Sequence, residues 1–374
     1  MITAILTKMA SKVLQLYLLV IFTFLMTGLL CFACGKVLRP TSCPCSNHTL
    51  CEPIRTTAMK EVVAFSGSGA YWKHYFWDNM TAVIVREGFD PQILCHAHSK
   101  GVRIVMMGTF SLDTLFNESA RIAWIEQTVD SAIGNFTDGF NIDFEQPLDK
   151  SQAGVLTEMV KQIKDAFTKA MPYSQVTLDS PYTPDCTIFK RCYDFHAIGE
   201  ILDYIMIMAY DELDFDGRAM ANAPFNKTIR GVDDFIQIGV PSSKLVLIVP
   251  WYGYDFPCST MKEGDVCMYK RLSVQYQKGF GDIMKLLDKS TTGAKWSDSY
   301  ESPYFDYKDT ETGQTHQVWY DNATSLALRV QMAKEKQLRG VSVFHADCLD
   351  YSTHQKAVNE TNEMWDAFIG EWLV

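Results

Sequence analysis

The chain has 374 residues, room for one large domain or two ordinary ones, and its 47% hydrophobic content can supply a full core. A net charge of −10 without basic clusters excludes nucleic acid as the partner, because phosphate binding needs grouped Lys and Arg.

The first 41 residues read apart from the rest. Lys8 and Lys12 precede an apolar run over 13–33, broken only by Gln15, Thr23, Thr27 and Gly28. This is the layout of a secretory signal, with Ala33 and Gly35 as cleavage points and 39–42 as a mature start. At about 1.5 Å per residue the run also spans a bilayer, so an uncleaved signal anchor is the competing reading. With cleavage, 42–374 is the folded chain, and it carries no further membrane segment because no later apolar stretch approaches about 18 residues. Seven Asn-x-Ser/Thr sequons, at Asn47, Asn79, Asn117, Asn135, Asn226, Asn322 and Asn359, fit the same glycosylating route. Of eleven cysteines, Cys31 and Cys34 fall in the signal. Cys186 with Cys192 and Cys258 with Cys267 close short loops and form the natural local pairs. One of Cys43, Cys45 and Cys51 is open to pairing with Cys95, and Cys348 is the thiol left over. Metal binding by Cys43 and Cys45 is the alternative, but no second Cys or His pair completes a zinc site.

Eight short β-branched runs follow: 61–65, 82–85, 103–107, 140–144, 175–178, 204–209, 245–249 and 341–344. Most are continuously apolar, the mark of strands buried on both faces in a parallel sheet. Amphipathic helical patterns lie between them at 120–133, 156–171, 194–202, 232–238 and 325–338, and a last one covers 356–369. This alternation predicts an α/β fold, a (β/α)8 TIM barrel. A doubly wound open sheet fits less well, since 66–69 (SGSG) leads into aromatics rather than a helix. About ninety residues separate the seventh and eighth runs, too many for one loop and one helix. We therefore expect a small α+β insertion over 255–317, after strand seven.

The fourth run is the informative one. Phe140, Ile142 and Phe144 alternate with Asn141, Asp143 and Glu145. In a strand the polar three share a face, with Asp143 and Glu145 about 6.6 Å apart along it. Asp138 has the opposite parity and reads as a structural hydrogen-bonding residue before the strand. Barrel chemistry sits at the C-terminal ends of the strands. That rule brings together 143–145, 208–212, 250–254 and 344–347, a mouth lined by carboxylates and large rings. Such a mouth suits a carbohydrate: rings stack on sugar faces, and paired acids act at a glycosidic bond. Trp251 and Trp319 are the stacking candidates, each with core packing as the alternative. His345 and Asp347 lie near the mouth, with no metal constellation around them.

The stretch 138–145 (DGFNIDFE) resembles the DGxxxDxE signature of family 18 glycoside hydrolases, the chitinase family, and 208–211 (MAYD) resembles that family's MxYD. The resemblance runs from about Cys43 to the end. Within the family the chain is most similar to the lysosomal, exo-acting chitobiase branch, through 43–45 with 50–54, 222–226, 249–255, 316–322 and 348–352. This implies retaining hydrolysis of β-1,4-linked N-acetylglucosamine oligosaccharides, from the reducing end of chitobiose units, with the substrate's own acetamido oxygen as nucleophile. A monomer with no metal and no cofactor is implied. Glu145 is then the general acid and base, and repulsion from Asp143 is expected to help it hold its proton. Asp143 holds the acetamido N–H, Tyr210 hydrogen-bonds the acetamido carbonyl, and Asp211 supports it. Two positions depart from the family pattern. Asn141 stands where most chitinases have Asp, and its amide is expected to donate to Asp143; the chitobiase branch is similar in this. Phe344 stands where a Trp usually floors the reactive sugar, leaving less stacking area. The competing functions are an inactive chitin-binding lectin, which the retained Glu145 disfavours, and a secreted endo-chitinase.

Overall fold

The computed structural model describes residues 42–214, 216–264, 266–267 and 274–373. The expected signal segment over 1–41 lies outside the described residues. The strands run β1 Glu61–Phe65, β2 Ala82–Arg86, β3 Arg103–Gly108, β4 Gly139–Ile142, β5 Gln175–Pro181, β6 Tyr204–Met208 and β7 Leu245–Pro250. The chain then leaves for a second sheet, β8 Tyr252–Cys258, β9 Gln277–Gly279, β10 Lys295–Ser297, β11 Ser302–Lys308 and β12 Thr315–Trp319, and returns as β13 Gly340–Phe344. Strands β1 to β7 lie in sequence order, and β13 closes the barrel between β7 and β1. All eight pairings are parallel.

Alternation decides what each strand faces. Val62, Ala64, Val83, Ile104, Phe140, Ile142, Val176 and Leu178 point outward into one core with Leu156, Met159, Val160, Ile163 and Phe167 of the helix Ala153–Ala170. Val63, Phe65, Ile84, Val105, Tyr204, Met206, Val246 and Ile248 point inward and fill the barrel. Both faces are therefore apolar, and each fully buried aliphatic side chain contributes roughly 1.5–3 kcal/mol. On the helix Glu118–Gly134 the buried residues include Ile125, Val129 and Ala132, whereas Ile122 and Ile133, apolar residues within the 120–133 pattern, are exposed. A helix that the periodicity did not show, Pro91–Ser99, connects β2 to β3. Its start is written locally: the Asp90 side chain accepts the Gln92 N–H at 3.0 Å, and Pro91 takes the first helical position, where no donor is needed.

The second sheet is the insertion after strand seven. Its order is β10-β11-β12-β8-β9, all antiparallel, with the helix Phe280–Leu287 following β9. It spans Tyr252 to Trp319, slightly more than the expected 255–317. The disulfides are Cys43–Cys51, Cys45–Cys95, Cys186–Cys192 and Cys258–Cys267, and Cys348 is a free thiol. Cys43 and Cys45 are thus spent in disulfides and offer no thiolate to a metal. Among the described residues no helix is long and apolar enough to cross a membrane.

Candidate active site

Strand β4 stops at Ile142, so Asp143 and Glu145 stand just beyond its end rather than on it. Asp143 still keeps the ladder for one more residue, its N–H donating to Gly108 O at 2.9 Å. Below it Asn141 is fully buried inside the barrel. Its Nδ2 donates to Asp179 Oδ2 at 2.7 Å, and its Oδ1 accepts from Thr177 Oγ1 at 2.6 Å. The amide expected to serve Asp143 is therefore committed to β5. Register explains this: Thr177 pairs with Asn141 across the β4–β5 ladder, whereas Asp143 is two residues up the same strand.

Asp143 is half-buried, and burial followed by the charge of Glu145 pushes its carboxyl up to about 6, with Arg86 and Arg191 opposing. Glu145 is further out, with 44% of its side chain exposed, and its Oε2 lies 2.5 Å from the Arg191 guanidinium. Arg191 is held by its loop. The Cys186–Cys192 disulfide closes it, and Leu148 locks it through Leu148 N–H to Lys190 O at 2.8 Å and Cys192 N–H to Leu148 O at 3.2 Å.

Tyr210 and Asp211 follow β6. The Tyr210 ring stacks on Phe344 at 5.5 Å and meets Tyr252 edge-on at 5.8 Å. Enclosure in the mouth, then the charge of Asp179, raises its hydroxyl well above the ordinary tyrosine range, so it serves as a neutral donor. Asp211 has φ +56°, a left-handed conformation that costs a non-glycine residue roughly 1–2 kcal/mol. Three bonds hold it there: its N–H donates to Asn222 Oδ1 at 2.8 Å, and its Oδ1 accepts from the Tyr252 and Tyr254 hydroxyls, both at 2.6 Å. Burial raises its carboxyl, and the two hydroxyls work against that. Phe344 closes the floor against Phe65 and Tyr210, each at 5.5 Å. It lines a cavity of about 370 Å³ together with Ser66, Arg86, Met107, Gln277 and His345.

Glu145, Asp143, Asn141, Tyr210, Asp211 and Phe344 are thus gathered at one mouth. Two expected sugar contacts are not. Trp251 is 1% exposed and meets Trp365 of the C-terminal helix edge-on at 4.7 Å. It continues the parity of Leu247 and Val249, which face the helices, so its ring turns away from the mouth. Trp319 is fully buried in the second sheet, stacked on Tyr304 at 4.5 Å, with its indole N–H donating to Gln317. Neither offers a face to a sugar. Asp138 is structural, as expected: its carboxylate accepts from Ile54 N–H, Ile104 N–H and His98 Nε2, each at 2.8 Å. Asp347 ties the β1 loop to the end of β13, accepting from Ser68 N–H, Gly69 N–H, Tyr71 N–H and the Tyr75 hydroxyl.

Asp179, Arg191 and Tyr252 were missed. For Asp179 a signal existed, an acid with the parity of Thr177 in an otherwise apolar run, but the expected strand stopped at 178. Chemically, the mouth sets a half-buried carboxyl of raised pKa beside an exposed, cation-paired one, over an aromatic floor with a tyrosine donor. Such a set can protonate a leaving oxygen and hold an amide N–H.

The chain matches the model of the glycosyl hydrolases family 18 over residues 92–348. It is 38% identical to the di-N-acetylchitobiase of Mus musculus over 339 residues, covering 87% of this chain and 92% of that protein. To the di-N-acetylchitobiase of Homo sapiens it is 36% identical over 340 residues, 87% and 88% of the two chains. Among solved structures, the fold resembles a chitinase from Chromobacterium violaceum, with TM-score 0.69 at 19% identity over 84% of this chain and 99% of that one. It also resembles the Ostrinia furnacalis Group IV chitinase, with TM-score 0.67 at 16% identity over 83% and 97%.

Proposed function

The chain belongs to glycosyl hydrolase family 18, and we propose that it cleaves the β-1,4 bond of N,N′-diacetylchitobiose units, acting from the reducing end by substrate-assisted retention. The observation that carries this reading is the Asp143–Glu145 pair facing Tyr210 across the barrel mouth. The di-N-acetylchitobiase relatives, aligned over most of both chains, supply the substrate class.

In the first step the substrate's acetamido oxygen attacks the anomeric carbon, and the glycosidic C–O bond breaks. Glu145 gives its proton to the departing oxygen. Asp143 accepts the acetamido N–H and stabilises the positive charge of the oxazolinium ring. Tyr210 donates its hydroxyl hydrogen to the acetamido carbonyl and aligns it. In the second step Glu145, now a carboxylate, takes a proton from water, and the hydroxide equivalent opens the ring with retention. Before either step Glu145 has to exchange Arg191 for the substrate, since an acid paired to a guanidinium is occupied as an acceptor.

An acidic compartment, the lysosome, suits this site: the buried Glu212, raised to about 8, keeps its proton there. The protein is expected to work as a monomer on N-acetylglucosamine oligosaccharides in glycoprotein and chitooligosaccharide breakdown. The test is digestion of N,N′-diacetylchitobiose and longer oligomers by wild type and Glu145→Gln. Stepwise release of single reducing-end sugars by wild type, reduced about 10³-fold in the variant, supports the reading. No turnover of any oligomer points to a lectin, and internal cleavage of long chains points to an endo-chitinase.

A further inference from the structure

We propose that Asp179, on β5, is the proton partner of Asp143: the two carboxyls share one proton across the β4–β5 seam inside the barrel. The inference rests on the reading of the mouth as a hydrolase site. It assigns Asp179 as a positioning residue, because it sits beneath the site and reaches the substrate only through Asp143.

Register places the pair. Gly139 pairs with Gln175 and Asn141 with Thr177. The same register, carried one residue past the end of β4, where Asp143 N–H still donates to Gly108 O, sets Asp143 beside Asp179, and neighbouring strands lie about 4.8 Å apart. Asp179 is 3% exposed. Its Oδ2 takes the Asn141 Nδ2 hydrogen, and its Oδ1 is buried without a hydrogen-bond partner among the described residues. A buried carboxylate with one bare oxygen is unfavourable, and the same group as a carboxylic acid is not. The bare oxygen then carries the hydrogen, and the acceptor that the register sets beside it is Asp143.

The surrounding charges agree. Asp143 and Glu145, both acidic, act on Asp179 from the end of β4, and among the described residues the neutral Asn141 is its only hydrogen-bond donor. Across the β6 ladder it faces Met206, and the Tyr210 hydroxyl beyond β6 feels its charge. The two nearby cations, Arg86 and Arg191, act on Asp143 instead. Burial and the charge of Asp143 accordingly hold the Asp179 carboxyl well above the usual range.

The exchange balances within the pair. The O–H bond at Asp179 breaks, one forms at Asp143, and Asp179 is left as a carboxylate still held by Asn141. With the proton on Asp179, Asp143 is negative and faces the cationic ring. With the proton on Asp143, its repulsion with Glu145 is relieved. Asn141 cannot take part as an acid, so its contribution is the hydrogen bond that steadies Asp179 in either state.

Asp179→Asn tests this. The side chain keeps its shape and still accepts from Asn141, but it holds no exchangeable acid proton. On diacetylchitobiose across pH 4–8, the full chain carrying Asp179→Asn is expected to keep KM within about twofold and lose about tenfold or more in kcat. The acidic limb of its pH profile should move down by roughly one unit, because Asp143 then titrates alone. An unchanged profile, or an equal loss at every pH, overturns the proposal. Infrared spectroscopy at pH 6 reads the shared proton without turnover. In the wild-type-minus-Asp179→Asn difference spectrum, where the band of the buried Glu212 acid cancels, wild type should show a carboxylic-acid band that Asp179→Asn removes and Asp143→Asn shifts; a difference spectrum without that band also overturns the proposal. An inactive wild type that shows the band would refute the hydrolase reading and leave the proton pair standing.

Discussion

Glu212 offers the most direct test of how this protein depends on pH. It is fully buried beside Asp211, with Oε1 accepting from Thr228 Oγ1 at 3.1 Å and Oε2 lacking a hydrogen-bond partner among the described residues. Burial raises its carboxyl from the ordinary 4.5 to about 8, against smaller opposing effects of Thr228, Arg329 and Lys227. The folded protein therefore keeps this proton where the unfolded chain has lost it. Its stabilisation is full below pH 4.5, declines as pH rises, and is lost by about 8. A raise of this size corresponds to on the order of 5 kcal/mol. At about 2.1 cal/mol/K per residue, the roughly 330 residues from Ser42 to Val374 unfold with about 0.7 kcal/mol/K of entropy, so the loss amounts to about 7 °C in melting temperature. Glu212→Gln keeps the shape and the acceptor for Thr228 but has no proton to lose. Thermal melts of both proteins at pH 4.5, 6 and 8 should coincide within a degree or two at acidic pH and separate as pH rises, the variant melting about 7 °C higher at pH 8. The other raised carboxyls act in both proteins and cancel in the difference. Melting temperatures that run parallel across the range would refute the reasoning.

Two further predictions separate packing from binding. Trp251→Ala should cost about 3–5 kcal/mol in denaturant melts and leave KM within twofold, because the ring packs on Trp365 and not on substrate. Phe344→Ala should do the reverse, raising KM about tenfold in steady-state kinetics with a smaller loss of stability. For the Arg191 loop, the double change Cys186→Ser with Cys192→Ser should cost about 2 kcal/mol by loop-closure entropy. It should also raise KM by roughly three- to tenfold with kcat changed less, because the guanidinium that holds Glu145 at the mouth until substrate replaces it loses its anchor; melts and kinetics on the same preparation check both.

Much of the fold was legible because parallel barrel strands are buried on both faces and read as continuous apolar runs. All eight runs became barrel strands, and the long seventh interval became the second sheet. The helix Pro91–Ser99 is hard to see in the sequence although Asp90-Pro91 marks its start, since its nine residues show only about two and a half turns of periodicity. In the site, Glu145, Asp143, Tyr210 and Asp211 came from strand ends and motif, and those positions are local. Trp251 and Trp319 failed for a different reason. A ring's orientation depends on which strand face it continues, and placing Trp251 by closeness to a strand end ignored the parity of Leu247 and Val249. Trp319 belongs to a sheet whose core could not be told from a binding face without its partner Tyr304.

The same limit explains Asn141. Read along its own strand, its nearest polar neighbour is Asp143. In the barrel its nearest polar neighbours are one strand over, at Thr177 and Asp179, the latter 38 residues later in the chain. A strand read singly supplies every second residue of a face; a closed sheet supplies the residues beside them, and hydrogen bonds at 2.6–2.7 Å go to those. The acidic device at this mouth therefore belongs to β4 and β5 together. That also accounts for an asparagine at the deepest polar position. A second carboxylate stacked under Asp143 on the same strand would add repulsion to Glu145 and Asp179 together, whereas an amide bonds to Asp179 in either protonation state and adds no charge.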